Sequence, residues 1–420
     1  MALRKAPAPP GYELFGPDPT FPDVPYAEWK SRIDRAQALM KEKKIDILML
    51  WSEQNCRYFG GFTSNHWMLP SIQPMVTLIP KDGDPVNITG EFFRWAAEAQ
   101  CWIRDIRTQA DVHETHSERA FPREVADTVK EMGYGKANVA LEMGQIAHTW
   151  IPRPLNDIQT LMQSLPDAKF VDGDVIVWGC RMIKSVLEIE RLKKAAAIHR
   201  QAQMTAVSRF KPGMTEQDVG RQWIIAAFEN GADWVNPGHI MVGAKEGMFD
   251  TGFHFEGVTI KKGDYLSLDQ ALRYKGYWAD MGRMVDVGPV SEGFIKGCDV
   301  MHQAFDAGVA AARPGAKAKD VWAAVAGVVE KAGMGTIEMV GHGIGLDIQE
   351  PPVLGRSEET VLRPGMVFEI EPTGMGEGGM RKYGGVGTFH FENLVIINEK
   401  GNEVVMGLPK EVLEVPNAFK

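Results

Sequence analysis

The sequence predicts an α/β domain over residues 26–180, followed by an α+β domain over residues 181–420 built from an internal pseudo-two-fold duplication. Three observations predict it. Helical and strand-like segments alternate through the first part. A capping-box start at Ser185 opens a long helix where that alternation stops. Two pairs of motifs then recur at one common spacing. At 420 residues and 44% hydrophobic content, the chain has material for about two domains, each with its own core.

Taken in order, residues 1–25 read as an extended, proline-rich arm with Pro7, Pro9 and Pro10. Tyr26 to Lys44 has helical spacing, and Asp46 to Trp51 (DILMLW) reads as a buried strand. Met75 to Pro80 and Pro85 to Gly90 read as two more strands about the turn Lys81-Asp82-Gly83-Asp84. Glu91 to Trp102 is helical, Ile103 to Thr108 extended, Glu118 to Met132 helical and Ala137 to Glu142 a strand. The boundary falls near Arg181-Met182-Ile183-Lys184. Ser185 and Glu188 then form a capping box, in which each side chain accepts from the other's backbone N–H. The helix they open runs to about Phe210, where Pro212-Gly213 ends it.

Bulk properties exclude several function classes. A net charge of -9 argues against a general nucleic-acid binder. The arm lacks the apolar run of a secretory signal, and no stretch approaches the ~18 apolar residues of a membrane span. Cys56, Cys101, Cys180 and Cys298 are scattered, with no CxxC pair, which fits a reduced, cytoplasmic setting.

The duplication is visible within the chain itself. Pro212-Gly213 with Asp218-Val219 recurs as Pro314-Gly315 with Asp320-Val321, and 314 − 212 = 102. Gly263-Asp-Tyr-Leu-Ser-Leu-Asp269 matches Gly365-Met-Val-Phe-Glu-Ile-Glu371, and 371 − 269 = 102. Two such units related by a pseudo-two-fold axis bring Asp269 and Glu371 face to face.

Five residues of this half read as one metal site: Asp269, Asp280, His342, Glu371 and Glu392. Each lies in an apolar or glycine-rich setting, where a lone charge is costly to bury. Four converging carboxylates require a cationic partner, and a pair of divalent ions supplies one. Leu266 to Asp269 reads as a strand ending in its carboxylate. Gly276 to Asp280 reads as an antiparallel neighbour that sets the two aspartates side by side. The glycines of Gly341-His342-Gly343-Ile344-Gly345 allow close backbone approach, so that the imidazole can reach a metal. Glu369 and Glu371 share one strand face, so spacing alone leaves both open; the duplication selects Glu371. Thr388 to Ile397 reads as one strand on which His390 and Glu392 share a face. Four oxygens and one nitrogen suit Mn, Co, Fe or Zn.

Other motifs carry less. The glycines about His342 are not spaced as GxGxxG. His113-Glu114-Thr115-His116 is HExH, not HExxH, and reads as a surface loop. No GxSxG nucleophile elbow is present.

The C-terminal motifs resemble the "pita-bread" metallopeptidases of family M24: methionine aminopeptidase, aminopeptidase P, prolidase and non-peptidase relatives such as creatinase. The resemblance rests on the aspartate spacing, 280 − 269 = 11, on Gly-His342-Gly-Ile-Gly, on Ile-Glu371-Pro and on the late Glu392. It covers residues 181–410 strongly, and the preceding α/β domain looks like that of the two-domain creatinase/prolidase branch. It implies that Asp269 and Asp280 bind one ion, that Asp280, His342 and Glu392 help to hold the pair, and that Glu371 and Glu392 add carboxylates. It also implies a metal-bridging hydroxide as nucleophile, Glu371 as proton shuttle and His254 as a substrate-binding histidine that steadies the tetrahedral intermediate. The expected function is that of an Xaa-Pro dipeptidase or aminopeptidase acting on a dipeptide or small amide, as a homodimer.

Three departures touch the shell that reads the substrate. Gln349 stands where the peptidases usually carry a second histidine. His390 stands where they carry an arginine, and Gly282 where they carry Thr or Ser. They open an alternative: a relative acting on a small zwitterion, as ectoine hydrolases and dimethylsulfoniopropionate lyases do. Trp278, Trp234 and Tyr277 would then offer cation–π faces. A non-enzymatic binding module on this fold is disfavoured, because all five ligands are present.

Overall fold

The chain divides after Arg181 into two units, Met1–Arg181 and Met182–Lys420. A computed structural model describes residues 18–68, 72–109, 120–146, 151–244, 247–250, 257–289, 291–375, 387–405 and 412–415. The HExH segment and His254 lie outside the described residues, as does most of the proline-rich arm.

In the first unit, six strands form one mixed sheet: β1 (Ile47–Leu50), β2 (Met75–Pro80), β3 (Val86–Gly90), β4 (Asp105–Gln109), β5 (Asn138–Leu141) and β6 (Lys169–Asp172). Their order is β4-β3-β2-β1-β5-β6. β1, β2 and β3 pair antiparallel, while β4, β5 and β6 join in parallel. The central strands are buried along their whole length, which is why they read as continuous apolar runs and not as alternating ones. The helices Leu155–Ser164 and Asp174–Arg181 and the strand β6 extend the alternation past Glu142, where the sequence reading made no assignment.

The second unit holds two five-stranded sheets. The first contains β7 (Trp234–Ala244), β8 (Gly247–Asp250), β9 (Tyr265–Tyr274) and β10 (Tyr277–Asp286), joined by β18 (Leu413–Glu414), in the order β18-β10-β9-β7-β8. The second contains β11 (Met339–Gly343), β12 (Glu350–Gly355), β13 (Val367–Ile370), β16 (Asn393–Asn398) and β17 (Gly401–Val404), in the order β12-β11-β13-β16-β17. β14 (Thr373–Met375) and β15 (Thr388–His390) pair with each other.

Each five-stranded sheet follows a pair of helices. Val186–Ser208 and Glu216–Glu229 precede the first, and Glu292–Ala311 and Ala318–Lys331 precede the second. The repeat extends to fine detail. Gly213 and Gly315 turn the chain between the helices at φ 90° and 87°. Isolated bridges pair Thr215 with Thr259 and Lys317 with Val361, again 102 residues apart on both sides (317 − 215 and 361 − 259). Asp218 and Asp320 accept from the backbone N–H of Thr215 and Lys317 at 3.0 and 3.1 Å, capping equivalent helices. Each repeat has its own apolar core, with Ile240, Leu266, Leu268 and Val285 in the first and Val340, Phe368, Ile370 and Val395 in the second.

Candidate metal centre

β9 and β10 form a hairpin turned by Lys275 and Gly276 at φ 47° and 80°, the left-handed pair that a two-residue hairpin needs. Asp269 therefore sits in mid-strand and does not end it. Its ladder partner is Gly282, while Asp280 faces Ala271. The two aspartates are diagonal neighbours on one face, one same-face register step from direct opposition. The reason is the length of the hairpin: β9 continues five residues past Asp269, to Tyr274, before it turns.

The second repeat brings the remaining groups. β11 lies between β12 and β13. A Cβ at Gly341 would fall 2.2 Å from the carbonyl oxygen of Glu369, so only glycine lets the two strands approach this closely. The His342 side chain is 1% exposed, and its Nδ1 lies 2.9 Å from Gly343 O. That bond takes the Nδ1–H and leaves the Nε2 lone pair free. Glu371 follows β13 directly, its backbone N–H held by Val340 O at 2.9 Å. The expected single strand over Thr388 to Ile397 is broken. β15 ends at His390 and β16 begins at Asn393, because Phe391 N–H bonds Pro372 O and Glu392 N–H bonds Gly282 O. His390 and Glu392 still converge, with Nε2 3.5 Å from Glu392 Oε2.

These residues fall into two triads whose ligand atoms lie within 4.8 Å of one another: Asp269, His390 and Glu392, and Asp280, His342 and Glu392. Glu392 is common to both, and the two aspartates belong to different triads. Glu371 lies beside them, its Oε1 3.7 Å from His342 Nε2. The other expected residues stand apart. Gln349 is exposed on the turn before β12. Trp278 is not an open aromatic face: it is 8% exposed, its indole N–H donates to Leu346 O at 3.1 Å, and the Arg273 guanidinium lies 5.6 Å from its ring centroid. Tyr277 is buried and donates its hydroxyl to Glu188.

The electrostatics are those of a site made for cations. Asp280 Oδ1, Glu371 Oε1, Glu392 Oε2 and His390 Nε2 are buried and have no hydrogen-bond partner among the described residues. Burial pushes the Asp280 and Glu392 carboxyls well above their ordinary range, and the neighbouring acids push them further. Burial raises Glu371 to about 7. Burial lowers His342, which favours the neutral imidazole that binds metals.

Glu369, which spacing left open, is fully buried one pleat before Glu371. Its carboxylate accepts from Asp280 N–H at 3.4 Å, and burial, then Asp280, raises it well above its ordinary value. Sequence reasoning missed Arg283. Its guanidinium donates to Gly282 O and Glu392 O at 2.8 and 2.6 Å, and burial pulls it down to about 9. An arginine inside the otherwise apolar run Met281 to Val285 is the signal that marks it.

The residues fit a pair of divalent ions. Acceptor oxygens without donors and an imidazole with a free lone pair need a positive partner at their centre. Nitrogen–oxygen separations of 3.5 and 3.7 Å exceed a good hydrogen bond yet suit donors that each lie about 2.0–2.2 Å from one ion.

The family model for metallopeptidase family M24 matches residues 190–399, and that for the creatinase/prolidase N-terminal domain matches residues 32–183. The chain is 30% identical over 386 residues to an Xaa-Pro dipeptidase of Pyrococcus furiosus, covering 91% of this chain and 100% of that one. It is 25% identical over 367 residues to an ectoine hydrolase of Halomonas elongata, covering 82% and 88%. Among solved structures, an Xaa-Pro dipeptidase from Bacillus anthracis superposes with a TM-score of 0.76 at 26% identity, covering 92% and 99%. By sequence motif, by fold and by these matches, the chain belongs to metallopeptidase family M24, with the creatinase/prolidase type of N-terminal domain.

Proposed function

We propose that this protein is a dinuclear metal-dependent hydrolase that cleaves Xaa-Pro dipeptides or an amide of similar size. The observation that carries the reading is the convergence of buried, unpartnered carboxylates on His342, in a chain of a metallopeptidase family. Asp269, Asp280, His342, Glu371 and Glu392 would hold the ions. When bound, such a pair would lower the pKa of a water and polarise the scissile carbonyl. The chain's own residues do the rest. Glu371 takes the proton released by the attacking water and returns it to the leaving amine. Arg283, donating to the Glu392 backbone, fixes that residue in place. Asp269, with 31% of its side chain exposed, marks the side from which substrate enters. His254 would steady the tetrahedral carbon's oxygen.

The donor set suits Mn, Co, Fe or Zn. We take the protein to be a cytoplasmic homodimer. Its four cysteines are all buried, and none is paired in a disulfide, which suits a reducing compartment.

A second reading keeps the metals and changes the substrate to a compact zwitterion or cyclic amide. The resemblance to an ectoine hydrolase favours it, as does the exposed glutamine at position 349. One experiment separates the two. Metal-stripped protein is reloaded with Mn, Co or Zn and offered a panel of Xaa-Pro dipeptides. Metal-restored cleavage establishes the peptidase. Bound metal without cleavage moves the assignment to the zwitterion class, and absence of bound metal rejects both.

A further inference from the structure

We propose that His390 is itself a metal ligand, giving Nε2 as nitrogen donor to the ion held by Asp269 and Glu392. The proposal rests on the two-ion reading above. It starts from an exchange of space. Residue 282 is the ladder partner of Asp269, so a side chain there would project beside the Asp269 carboxylate. Residue 282 is glycine, and the His390 ring fills the place: a Cβ on Gly282 would lie 2.0 Å from Cδ2 and 2.1 Å from Nε2 of that imidazole. Gly282 and His390 are also two of the positions at which the sequence departs from its family's pattern. The missing side chain at 282 makes room for the ring.

The ring is aimed. Thr373 Oγ1 lies 3.0 Å from His390 Nδ1 and 3.4 Å from Glu371 O. With the hydroxyl hydrogen directed to that carbonyl, the Thr373 oxygen receives Nδ1–H, and the lone pair of His390 sits on Nε2. His342 has the same arrangement, its Nδ1–H held by a carbonyl and its Nε2 turned to the acids. A hydrogen bond fixing the far nitrogen is what orients a ligating histidine.

The distances decide between two roles. Nε2 is 3.5 Å from Glu392 Oε2 and 4.0 Å from Asp269 Oδ2, and it is buried without a hydrogen-bond partner among the described residues. A charged histidine clamping a carboxylate would close to about 2.7–2.9 Å. Donors that each lie about 2.1 Å from a shared ion stand roughly 3–4 Å apart. Each triad thus carries one imidazole and two carboxylates, one of them the shared Glu392. Replacing a guanidinium by a nitrogen donor biases the site toward Co, Fe or Zn over Mn.

The test is titration of metal-stripped full-length protein with cobalt chloride, followed by visible absorption and calorimetry. Wild type binds two ions. His390→Ala weakens one of them by at least about 10-fold and alters the cobalt spectrum, leaving the other unchanged. Gly282→Thr does the same while keeping the histidine in the chain, and His390→Arg does not restore the lost site. Thr373→Val, which removes no ligand, weakens the same ion by less and carries the test if His390→Ala fails to fold. Two wild-type affinities in His390→Ala, or full restoration by arginine, overturn the ligand role. A wild type that binds no cobalt overturns the two-ion reading itself.

Discussion

Glu142 of the first unit and Glu392 of the second are both glutamates with almost no exposure, at 2% and 1%. Glu142 is surrounded by donors. Trp51 N–H and Ser52 N–H reach Oε2 at 2.6 and 3.1 Å, and the Ser52 hydroxyl and Asn55 amide reach Oε1. Glu392 keeps one oxygen with no donor among the described residues, amid four other acids. Both sit in a low-dielectric interior, and both have carboxyl pKa values raised by burial. The difference is the source of compensation. The first unit brings its own N–H and O–H groups, so Glu142 is architecture. The second withholds them, so Glu392 requires something from outside the chain. Burial alone does not mark a functional acid; here the mark is several carboxylates converging with oxygens left without donors.

Substitution tests this contrast most sharply at Asp280. Asp280→Ala is expected to cost more than the roughly 100-fold in metal affinity and turnover that even an outer partner of a ligand costs. The metal-free variant should melt no lower than metal-free wild type, because an unpartnered buried carboxylate is gone. A variant with full metal content and turnover would reject the assignment. Glu142→Ala should behave in the opposite way. It strands two backbone N–H groups and two side-chain donors, costing about 3 kcal/mol in urea unfolding of the first unit, with metal stoichiometry unchanged.

The pH dependence follows from the same acids. In metal-free protein, Asp280, Glu369, Glu371 and Glu392 all have raised carboxyl pKa values. Over the window from an unfolded value near 4.5 to the folded value of about 7 for Glu371, the native state holds protons the unfolded state has released. Stability is therefore fully present below this window and is lost as pH rises through it. Metal-free protein is expected to show a falling melting temperature from pH 5 to pH 8. Saturation at about 100 times Kd should add about 2.7 kcal/mol and raise the melting temperature. Scanning calorimetry with and without EDTA checks both; a flat metal-free profile would place the acids in a solvated environment. The smallest effect belongs to Gln349→His. The residue is exposed, so a gain in Xaa-Pro cleavage of a few-fold, read as kcat/KM, is the most this position should give. No change or a loss counts against its reading substrate.

The duplication, the carboxylates and the histidine between glycines were legible because each is a local pattern with a fixed spacing. Three things were not. The diagonal placement of Asp269 and Asp280 depends on where the hairpin turns, which Lys275 and Gly276 decide and the aspartate spacing does not. The break between β15 and β16 depends on hydrogen bonds to Pro372 and Gly282, far away in sequence. Arg283 looked like an ordinary strand residue, and Glu369 stayed open beside Glu371, since a charge in an apolar run reveals its role only when its neighbours across the sheets are known.

The sharing of Glu392 between the triads has a kinetic side. Asp269 and Glu392 belong to different repeats and lie 392 − 269 = 123 residues apart. An ion that joins them closes a long loop, as a covalent cross-link would, and the entropy of that closure must be met before the ion can bind. Such a contact forms late, after the repeats have docked. Bound metal should therefore leave the folding rate nearly unchanged and lengthen the lifetime of the native state.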